Sequence, residues 1–490
     1  MRALILTICL FAIACYSPKP PGGSYLCSSV DKECPAGQAC ECGLCIERPT
    51  QAACAFRIET AAINTTLSVE EHEAFSLTIS SLTANGAGAN EFGGEVTLAS
   101  SWGDVQPNKV RLTNGTATVQ VRLNRETLSP QTAKLSASFQ GNTGQSGKIA
   151  VSARKFERQA EPVVAPATLL MPFGWANRSV SQPNVLRDGT GYRMYFVGSN
   201  YLTADSTGIG VATSSDGKAW TVQSEPIIIT KGTGGLGADI NSPSVFLVNG
   251  KYHAVVSKGD IKESEIALGT STDGLLSWDI FNSGLPILKK TDCAYCNKNL
   301  NFPQVIPDPA SLDATGNATS WILFFGATAQ NSPFDSVSIA RAQSSDGIQF
   351  TPEPAPVLSG ELTGERLLFS PRVLVDGTVF KMWYSYASIG EINSFEELCT
   401  STSKAVVGYA TSDDGFYWIR SPSNPVLEPT AAEPTTMRWD QGARVILASS
   451  IVPTDGTDPQ NGIDLYYTGF RKDVTSMKCL PNGIGKASRP

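Results

Sequence analysis

The stretch of sequence that decides the fold of most of this chain lies between residues 182 and 230. It reads QPNVL (182–186), YRMYFV (192–197), GIGVATSSDG (208–217) and PIII (226–229). Each run has the length and the β-branched or aromatic content of a β-strand, and Gly, Pro and Asp occupy the gaps. We therefore predict four antiparallel strands joined by turns.

The same pattern returns four more times before the C-terminus. The opening run recurs as SPSV (242–245), FPQV (302–305), SPRV (370–373) and, in degraded form, GARV (442–445). A Ser-x-Asp-Gly turn followed by an aromatic residue recurs at 271–278, 344–350 and 412–418. Repetition of one supersecondary unit is typical of propellers. We predict an all-β protein with a five-bladed β-propeller over residues 163–490.

The fifth repeat lacks a fourth strand, because its third run, GIGKAS (483–488), extends into the C-terminus. The segment ATLLM (167–171) precedes the first repeat and is similar in composition to the fourth runs of the other repeats. We predict that residues 167–171 pair with residues 484–488. This pairing would close the ring and leave no open strand edge.

The first residues have the features of a secretory leader. A positive start at Arg2, an apolar run over 3–13 and small residues before Cys15 predict a signal peptide over 1–14. Cys15 resembles the lipobox of bacterial lipoproteins, which implies a lipid at Cys15 and a tether over 15–26. Ordinary signal peptidase would also accept this site. We expect an exported protein held at the bacterial envelope by its lipid, or a secreted one if Cys15 stays unmodified.

Six cysteines crowd residues 27–54, and two further pairs of cysteines lie in the propeller region. Such density in an exported chain predicts a small disulfide-rich module, with zinc at the Cys42-x-x-Cys45 spacing as the alternative. The predicted module contains Cys27, Cys34, Cys40, Cys42, Cys45 and Cys54, whose pairing the sequence leaves open. We also predict the disulfides Cys399–Cys479 and Cys293–Cys296.

Residues 55–154 alternate between apolar and polar side chains with a period of two. Asn114-Gly115 separates two such runs and is a strong hairpin signal. We predict an immunoglobulin-like β-sandwich, which resembles the repeats of bacterial surface proteins and implies a spacer or a docking module. Residues 155–162 are the predicted linker. The net charge of −7 argues against a nucleic-acid partner, and we expect a monomer.

The propeller repeats resemble the five-bladed glycoside hydrolases related to invertase, levansucrase and arabinanase. The resemblance covers residues 166–490 and rests on the Pro-x-Val strand start, the aromatic second strand and the Ser-x-Asp-Gly turn. It implies a carboxylate nucleophile or base and a carboxylic general acid on the innermost strands, often in an Asp-Pro pair. Here other residues hold those places: Gln182, Ser242, Phe302, Ser370 and Gly442.

Glycoside hydrolysis requires two carboxyl groups about 5 Å or about 6.5–9.5 Å apart. We predict Asp239 as base or nucleophile, Glu365 as general acid and Asp440 as an acid that orients the substrate. The side chains predicted to bind substrate on the same face are Arg178, Arg372, Arg444, Trp175, Trp439 and Phe302. The alternative for the charged residues is a solvated loop, and for the aromatic residues it is packing over the core.

Two hypotheses of function follow. In the first, the chain is a surface-anchored glycoside hydrolase that acts on extracellular poly- or oligosaccharide, without a cofactor or metal. In the second, it is a non-catalytic carbohydrate-binding or adhesion protein. The Gly-rich run 232–237 precedes a strand rather than a helix, which argues against a dinucleotide site. With only His72 and His253, His-based catalysis is not expected, and we interpret His253 as structural.

Overall fold

The structure is a computed structural model. It describes residues 34–35, 38–42, 44–46, 52–62, 65–166, 174–199, 207–229, 239–260, 263–275, 277–314, 316–329, 337–360, 365–388, 404–429, 445–455, 458–472 and 479–489. In this described part the chain is all-β, with short 3-10 helices and no α-helix. No helix within it is long and apolar enough to cross a bilayer. Two compact units divide the chain, Met1–Ser152 and Ala153–Pro490.

The first unit contains twelve described strands. They are β1 Ala39–Glu41, β2 Leu44–Ile46, β3 Ala55–Thr60, β4 Leu67–Glu70, β5 Phe75–Leu82, β6 Glu95–Ser100, β7 Val105–Gln106, β8 Lys109–Arg111, β9 Thr116–Leu123, β10 Leu135–Phe139, β11 Asn142–Gln145 and β12 Ile149–Ser152. Two four-stranded sheets, β3-β5-β9-β7 and β11-β10-β6-β8, share one core. Leu77 and Ile79 from the first sheet and Leu98 and Leu135 from the second are buried in it.

The predicted hairpin at Asn114-Gly115 is present only as a turn. Thr113 and Thr116 exchange main-chain hydrogen bonds at 3.0 and 3.2 Å, and both turn residues have positive φ. The flanking strands then separate, because β8 pairs with β6 and β9 pairs with β5. The turn therefore carries the chain from one sheet to the other.

The cysteine cluster forms disulfides. Cys34 bonds to Cys45 and Cys42 bonds to Cys54, so the thiols of the Cys42-x-x-Cys45 spacing belong to two different bridges and the zinc alternative does not hold. Cys40 is disulfide-bonded as well. Asn142 of β11 donates through Nδ2 to the carbonyls of Cys42 and Ala53 at 2.9 and 3.2 Å, which fixes the cluster to the sandwich.

The second unit begins with β13 Glu157–Arg158 and continues as five repeats. The first three repeats contain β14 Ser179–Asp188, β15 Gly191–Ser199, β16 Thr207–Ser214, β17 Thr221–Val222, β18 Ile228–Ile229; β19 Ile240–Val248, β20 Lys251–Asp260, β21 Glu263–Ser271, β22 Trp278–Ile280; and β23 Asn299–Pro307, β24 Trp321–Thr328, β25 Ser338–Ser344, β26 Thr351–Pro352. The last two contain β27 Glu365–Asp376, β28 Val379–Ser388, β29 Ala405–Ser412, β30 Ile419–Arg420; and β31 Val445–Pro453, β32 Ile463–Lys472, β33 Cys479–Arg489. Short 3-10 helices lie at Gly174–Ala176, Phe281–Gly284, Ala294–Cys296, Pro309–Ser311 and Pro459–Asn461.

Within each repeat the strands are antiparallel neighbours in chain order, except that in the first repeat β17 and β18 both pair with β16. The first strands of the repeats contact one another in sequence, and the first of them, β14, also contacts the last, β31. The five innermost strands therefore form a closed ring.

The chain closes this ring with a different segment from the one predicted. Glu157 and Arg158 of β13 pair with Ser488 and Ala487 of β33, and Val164 bridges to Ile484. The sequence analysis predicted this pairing for residues 167–171, which lie outside the described residues. Closure begins inside the stretch 155–162 that the sequence analysis assigned to the linker.

The Ser-x-Asp-Gly turns have the same hydrogen bonds in four repeats. In the first, Ser214 Oγ accepts from the N–H of Gly217 at 2.9 Å, and Asp216 Oδ1 accepts from the N–H groups of Lys218 and Ala219 at 2.8 and 3.0 Å. These bonds lower the pKa of Asp216 to about 2, with the Ala219 N–H as the largest cause. The Asp therefore caps the turn.

The aromatic residue after the turn packs between repeats. Trp278 lies edge-on to Tyr195 of the preceding repeat, with ring centroids 5.9 Å apart. Trp418 meets Phe324 in the same way at 5.9 Å. His253 lies on the second strand of its repeat at the place that Arg193 holds in the first repeat, with Nδ1 3.5 Å from the carbonyl of Gly347, and burial lowers its pKa. Its role is structural.

Candidate functional site

The innermost strands are irregular at the residue that precedes each proline. Gln182, Ser242, Phe302 and Ser370 have φ between 51° and 54°, and the strand register shifts at each of them. A positive φ is costly for residues other than glycine and is often found at functional sites. The four residues are buried. The register of the fifth repeat shifts between Ala448 and Ser450.

A chain of hydrogen bonds passes from repeat to repeat two residues beyond each shift. Four side-chain oxygens each accept a hydrogen bond from a main-chain N–H of the next repeat. In three of these four bonds the distance from oxygen to nitrogen is 2.8–3.0 Å. The pairs are Asn184 Oδ1 with Val245 N, Ser244 Oγ with Val305 N, Gln304 Oε1 with Val373 N, and Ser450 Oγ with Val185 N. We call these four acceptors, together with Arg372, the axial ring.

The fifth member, Arg372, donates rather than accepts. Its Nε bonds to the carbonyl of Ser449 in the next repeat. Its Nη1 bonds to Pro371 O at 2.8 Å, and to Pro303 O at 3.2 Å and Phe302 O at 3.4 Å in the preceding repeat. The guanidinium thus joins three repeats, and only 2% of the residue is exposed. Arg372 lies inside the ring rather than on the rim where the sequence analysis placed it.

The axial ring also corrects the alignment of the fifth repeat. The sequence analysis aligned Arg444 with Arg372, but Ser450 makes the equivalent bond to Val185. The error arose because the fifth repeat has no proline at its register shift, so that the degraded GARV run was the best available match. Arg444 itself lies outside the described residues.

Glu365 is held by two donors. It is the first residue of β27, and 11% of its side chain is exposed. Its Oε2 accepts from Arg420 Nε at 2.7 Å and from the Tyr384 hydroxyl at 2.9 Å. Burial, followed by the charge of Glu365, raises the pKa of Tyr384 well above its usual value, so the hydroxyl keeps its proton. Arg420 also donates to Ser359 O at 2.7 Å, which links the third and fourth repeats.

Asp239 lies one residue before β19, and its carbonyl accepts from Gly259 N at 2.9 Å. Arg178 lies one residue before β14, and its N–H donates to Ser199 O at 3.0 Å. Asp239 and Arg178 therefore both lie where an innermost strand begins, and Glu365 opens the innermost strand of the fourth repeat. The structure thus puts these three residues at the same end of their strands.

The two described aromatic candidates pack against the protein. The indole of Trp175 stacks on Phe196, with ring centroids 5.7 Å apart, and covers Gly198 and Gly210, where an added Cβ would lie 2.3 and 2.5 Å from it. Phe302 is 3% exposed and packs on Phe369 with centroids 5.8 Å apart. In both cases the structure favours the alternative of packing over the core.

Several predicted residues cannot be placed. Asp440, Trp439 and Cys15 lie outside the described residues, as do Cys27, Cys399 and the Gly-rich run 232–237. The side chain of Cys479 is also outside them. Cys293 and Cys296 form the predicted disulfide in the loop that leads into β23.

The sequence analysis missed the axial ring and the partners of Glu365. The signal for the ring was present in the variable position of the Pro-x-Val motif, where Asn184, Ser244, Gln304 and Arg372 are polar residues in otherwise apolar runs. The partners of Glu365 had no such signal, since Arg420 lies 55 positions away in a short outer strand.

The chain is similar in fold to known glycoside hydrolase structures. A structure named as a complex of BT0996 with RGII is 15% identical, with 69% of this chain and 92% of that protein covered and a TM-score of 0.50. A second, described as a glycoside hydrolase, is 16% identical with the same coverage and TM-score. A thermostable family-43 glycoside hydrolase is 17% identical, with 63% and 88% covered and a TM-score of 0.44. No protein-family model and no curated protein matches the chain.

Proposed function

We propose that this chain is an exported carbohydrate-binding protein whose second unit, a five-bladed β-propeller, engages extracellular poly- or oligosaccharide. The observation that carries the proposal is the likeness in fold to two structures, one described as a glycoside hydrolase and one as a complex with the carbohydrate RGII, across 92% of their length. The closed ring of five innermost strands supports the number of blades.

We place the saccharide at the end of the unit where the innermost strands begin. The strained residues Gln182, Ser242 and Ser370 lie in the first half of these strands and carry amide and hydroxyl groups. Gln182 Oε1 accepts from Ser242 N at 2.7 Å and Ser370 Oγ donates to Ala448 O. Such groups suit the hydroxyls of a sugar, and ligand sites in proteins are typically concave with a few convergent polar groups.

Binding without hydrolysis is the form of the proposal that the described geometry supports best. Hydrolysis needs one carboxyl group that gives a proton to the leaving group. Glu365, the predicted acid, is largely buried, and its Oε2 already accepts from Arg420 and Tyr384. We interpret it as an anchor between the third and fourth repeats.

Hydrolysis is the second candidate, because one of the two similar structures is described as a glycoside hydrolase. In this case Asp239 would act as base or nucleophile, and Asp440 would be the carboxyl group available to complete the pair. The Asp239→Asn variant should then lose turnover while it keeps its affinity for saccharide.

A panel of plant and microbial polysaccharides separates the two candidates. The purified exported chain would be assayed for binding by calorimetry and for hydrolysis by release of reducing sugar. Binding of at least one polysaccharide without release of sugar is the expected result. Release of sugar that Asp239→Asn abolishes would favour the hydrolase, and failure to bind any polysaccharide would contradict both.

The predicted sandwich of residues 55–154 serves, in this proposal, as an immunoglobulin-like spacer that follows the disulfide-rich module. Cys15 carries the lipid that holds the protein at the bacterial cell envelope. Mass spectrometry of the protein from membranes tests this placement. A diacylglyceryl group on Cys15, absent in a Cys15→Ser variant, is expected, whereas a soluble chain that begins at Cys15 without lipid would contradict it.

A further inference from the structure

Arg372 carries a buried positive charge that no acidic group of the described structure balances. All four of its hydrogen bonds go to neutral main-chain carbonyls. Burial is the one cause acting on its pKa, which it lowers to about 9. Buried charges in proteins are normally paired with an opposite charge, because removal from water is otherwise costly. A buried guanidinium that has only carbonyl partners therefore requires an explanation.

Three other buried cations of the unit are each paired with a carboxylate. Lys381 is paired with Asp376 at 2.9 Å, and Lys486 with Asp464 at 2.8 Å, with every one of these side chains at most 2% exposed. Arg341, at 2% exposure, is paired with Glu353. Each of these three cations thus has a carboxylate partner, whereas no carboxylate of the described residues is paired with Arg372.

Arg372 also has donors to spare. A guanidinium has five N–H donors, and the carbonyls of Ser449, Pro371, Pro303 and Phe302 engage only Nε and Nη1. The two N–H groups of Nη2 make no hydrogen bond within the described structure. A terminal guanidinium nitrogen of this kind is well suited to a carboxylate or sulfate oxygen.

The neighbouring repeats add polar atoms that lack a partner. Ser242 Oγ and Asn301 Oδ1 are enclosed and have no hydrogen bond within the described residues, although their residues are only 1% and 8% exposed. Asn301 directly precedes Phe302, whose carbonyl receives Arg372 Nη1 at 3.4 Å. Buried polar groups are nearly always satisfied in native proteins, so unpartnered ones on two innermost strands would be explained by a ligand.

We infer that the axial ring recognises the acidic group of a saccharide, a uronate carboxylate or a sulfate ester, through Nη2 of Arg372. This inference rests on the proposed carbohydrate-binding function and names the class of saccharide. The acidic group supplies a negative charge that the described residues do not place beside Arg372. A neutral sugar would leave the guanidinium without its counter-charge.

The test compares acidic polysaccharides with neutral forms of the same polymers. Polygalacturonate would be compared with its methyl ester, hyaluronate with its methyl ester, and heparin with desulfated heparin, by calorimetry on the full exported chain. At least one acidic form should bind about tenfold more tightly than its neutral partner, as expected of a charge-assisted contact. Equal affinity within all three pairs would overturn the inference.

Variants locate the effect. Arg372→Gln should abolish the preference for the acidic form, and Arg372→Lys should retain part of it. Arg187→Gln is the matched control, because Arg187 lies on β14 with its guanidinium over Tyr192 and its Nε bonded to Gly189 O, away from the ring. If thermal melting shows that Arg372→Gln does not fold, the comparison of acidic and neutral polymers on the wild-type chain decides alone.

The remaining outcomes are distinct. Binding of neutral polymers with no preference for acidic ones would overturn this inference and leave the proposed function intact. Binding of no polymer would contradict the proposed function and the inference together. A melting temperature that rises with inorganic sulfate in an Arg372-dependent way, without any preference among polymers, would identify a site for free inorganic anions and overturn the saccharide assignment.

Discussion

The two ends of the repeated strands differ in how strictly their chemistry is repeated. At one end, the Ser-x-Asp-Gly turns at Asp216, Asp273, Asp346 and Asp414 repeat the same serine and aspartate hydrogen bonds. At the other end, the residues before the prolines are an amide, two hydroxyls and a phenyl ring. Identical chemistry at equivalent positions indicates a scaffold. Divergence at equivalent positions inside that scaffold indicates where a ligand binds.

The turn end is also where successive repeats are joined by charged and aromatic residues. Tyr466 and Lys486 both donate to Gly217 O, at 2.8 and 3.2 Å, while Lys486 is paired with Asp464. Arg193 and Tyr195 donate in the same way to the turn of the second repeat. These contacts hold the repeats in place. The end where the innermost strands begin is therefore free to vary in composition.

Removal of residues 483–490 should have the largest effect, because it deletes the strand that joins the last repeat to β13. Ile484 is fully buried, and loss of Lys486 would leave Asp464 without its partner. We expect the second unit to lose its cooperative unfolding transition, measured by calorimetry. The transition of the first unit, a separate compact unit, serves as the internal control. An unchanged second transition would show that ring closure does not depend on β33.

A single buried ion pair should account for the next largest effect. Lys381→Met leaves Asp376 buried without its partner at 2.9 Å, which should lower the free energy of unfolding by about 3–5 kcal/mol. Lys404→Met is the matched control, since Lys404 and Glu428 are 3.9 Å apart and about half exposed, and should cost less than about 1 kcal/mol. Chemical denaturation measures both. Equal losses would contradict the view that the turn end is the stabilising scaffold.

The smallest expected difference is between alanine variants of two serines of β19, one assigned to the scaffold and one to the binding site. Ser244→Ala removes the acceptor of the Val305 N–H and should cost about 1–3 kcal/mol. Ser242→Ala removes a hydroxyl that has no partner among the described residues, and should change stability by less than about 0.5 kcal/mol while it weakens saccharide binding. Both residues are 1% exposed, so burial alone does not distinguish them. A large loss of stability in Ser242→Ala would place Ser242 in the scaffold.

Local pattern was sufficient to predict the strands and the turns. Ser214, Asp216 and Gly217 lie within four positions of one another, and their hydrogen bonds follow from the turn itself. The axial ring depends instead on contacts between distant residues, such as Ser450 with Val185, which lie 265 positions apart. A single sequence does not reveal which polar residue of a strand reaches the next repeat.

The same limit applies at ring closure and at Glu365. Residues 167–171 have the composition of a closing strand, but the pairing with β33 begins at Glu157 and reaches Val164. Glu365 has the position expected of a rim carboxylate, but Arg420 and Tyr384 bind it. Composition and position in the repeat predicted the strand, or the end of a strand, to which a residue belongs. They did not predict which partner it would meet.

A crystal structure of the exported chain with a bound acidic oligosaccharide tests the central claim most directly. The account predicts that the saccharide lies where the innermost strands begin, with its acidic oxygen within hydrogen-bond distance of Arg372 Nη2. It would be contradicted by a saccharide bound elsewhere, for example on the phenol side chain of Tyr417. Tyr417 lies at the turn end and is 82% exposed.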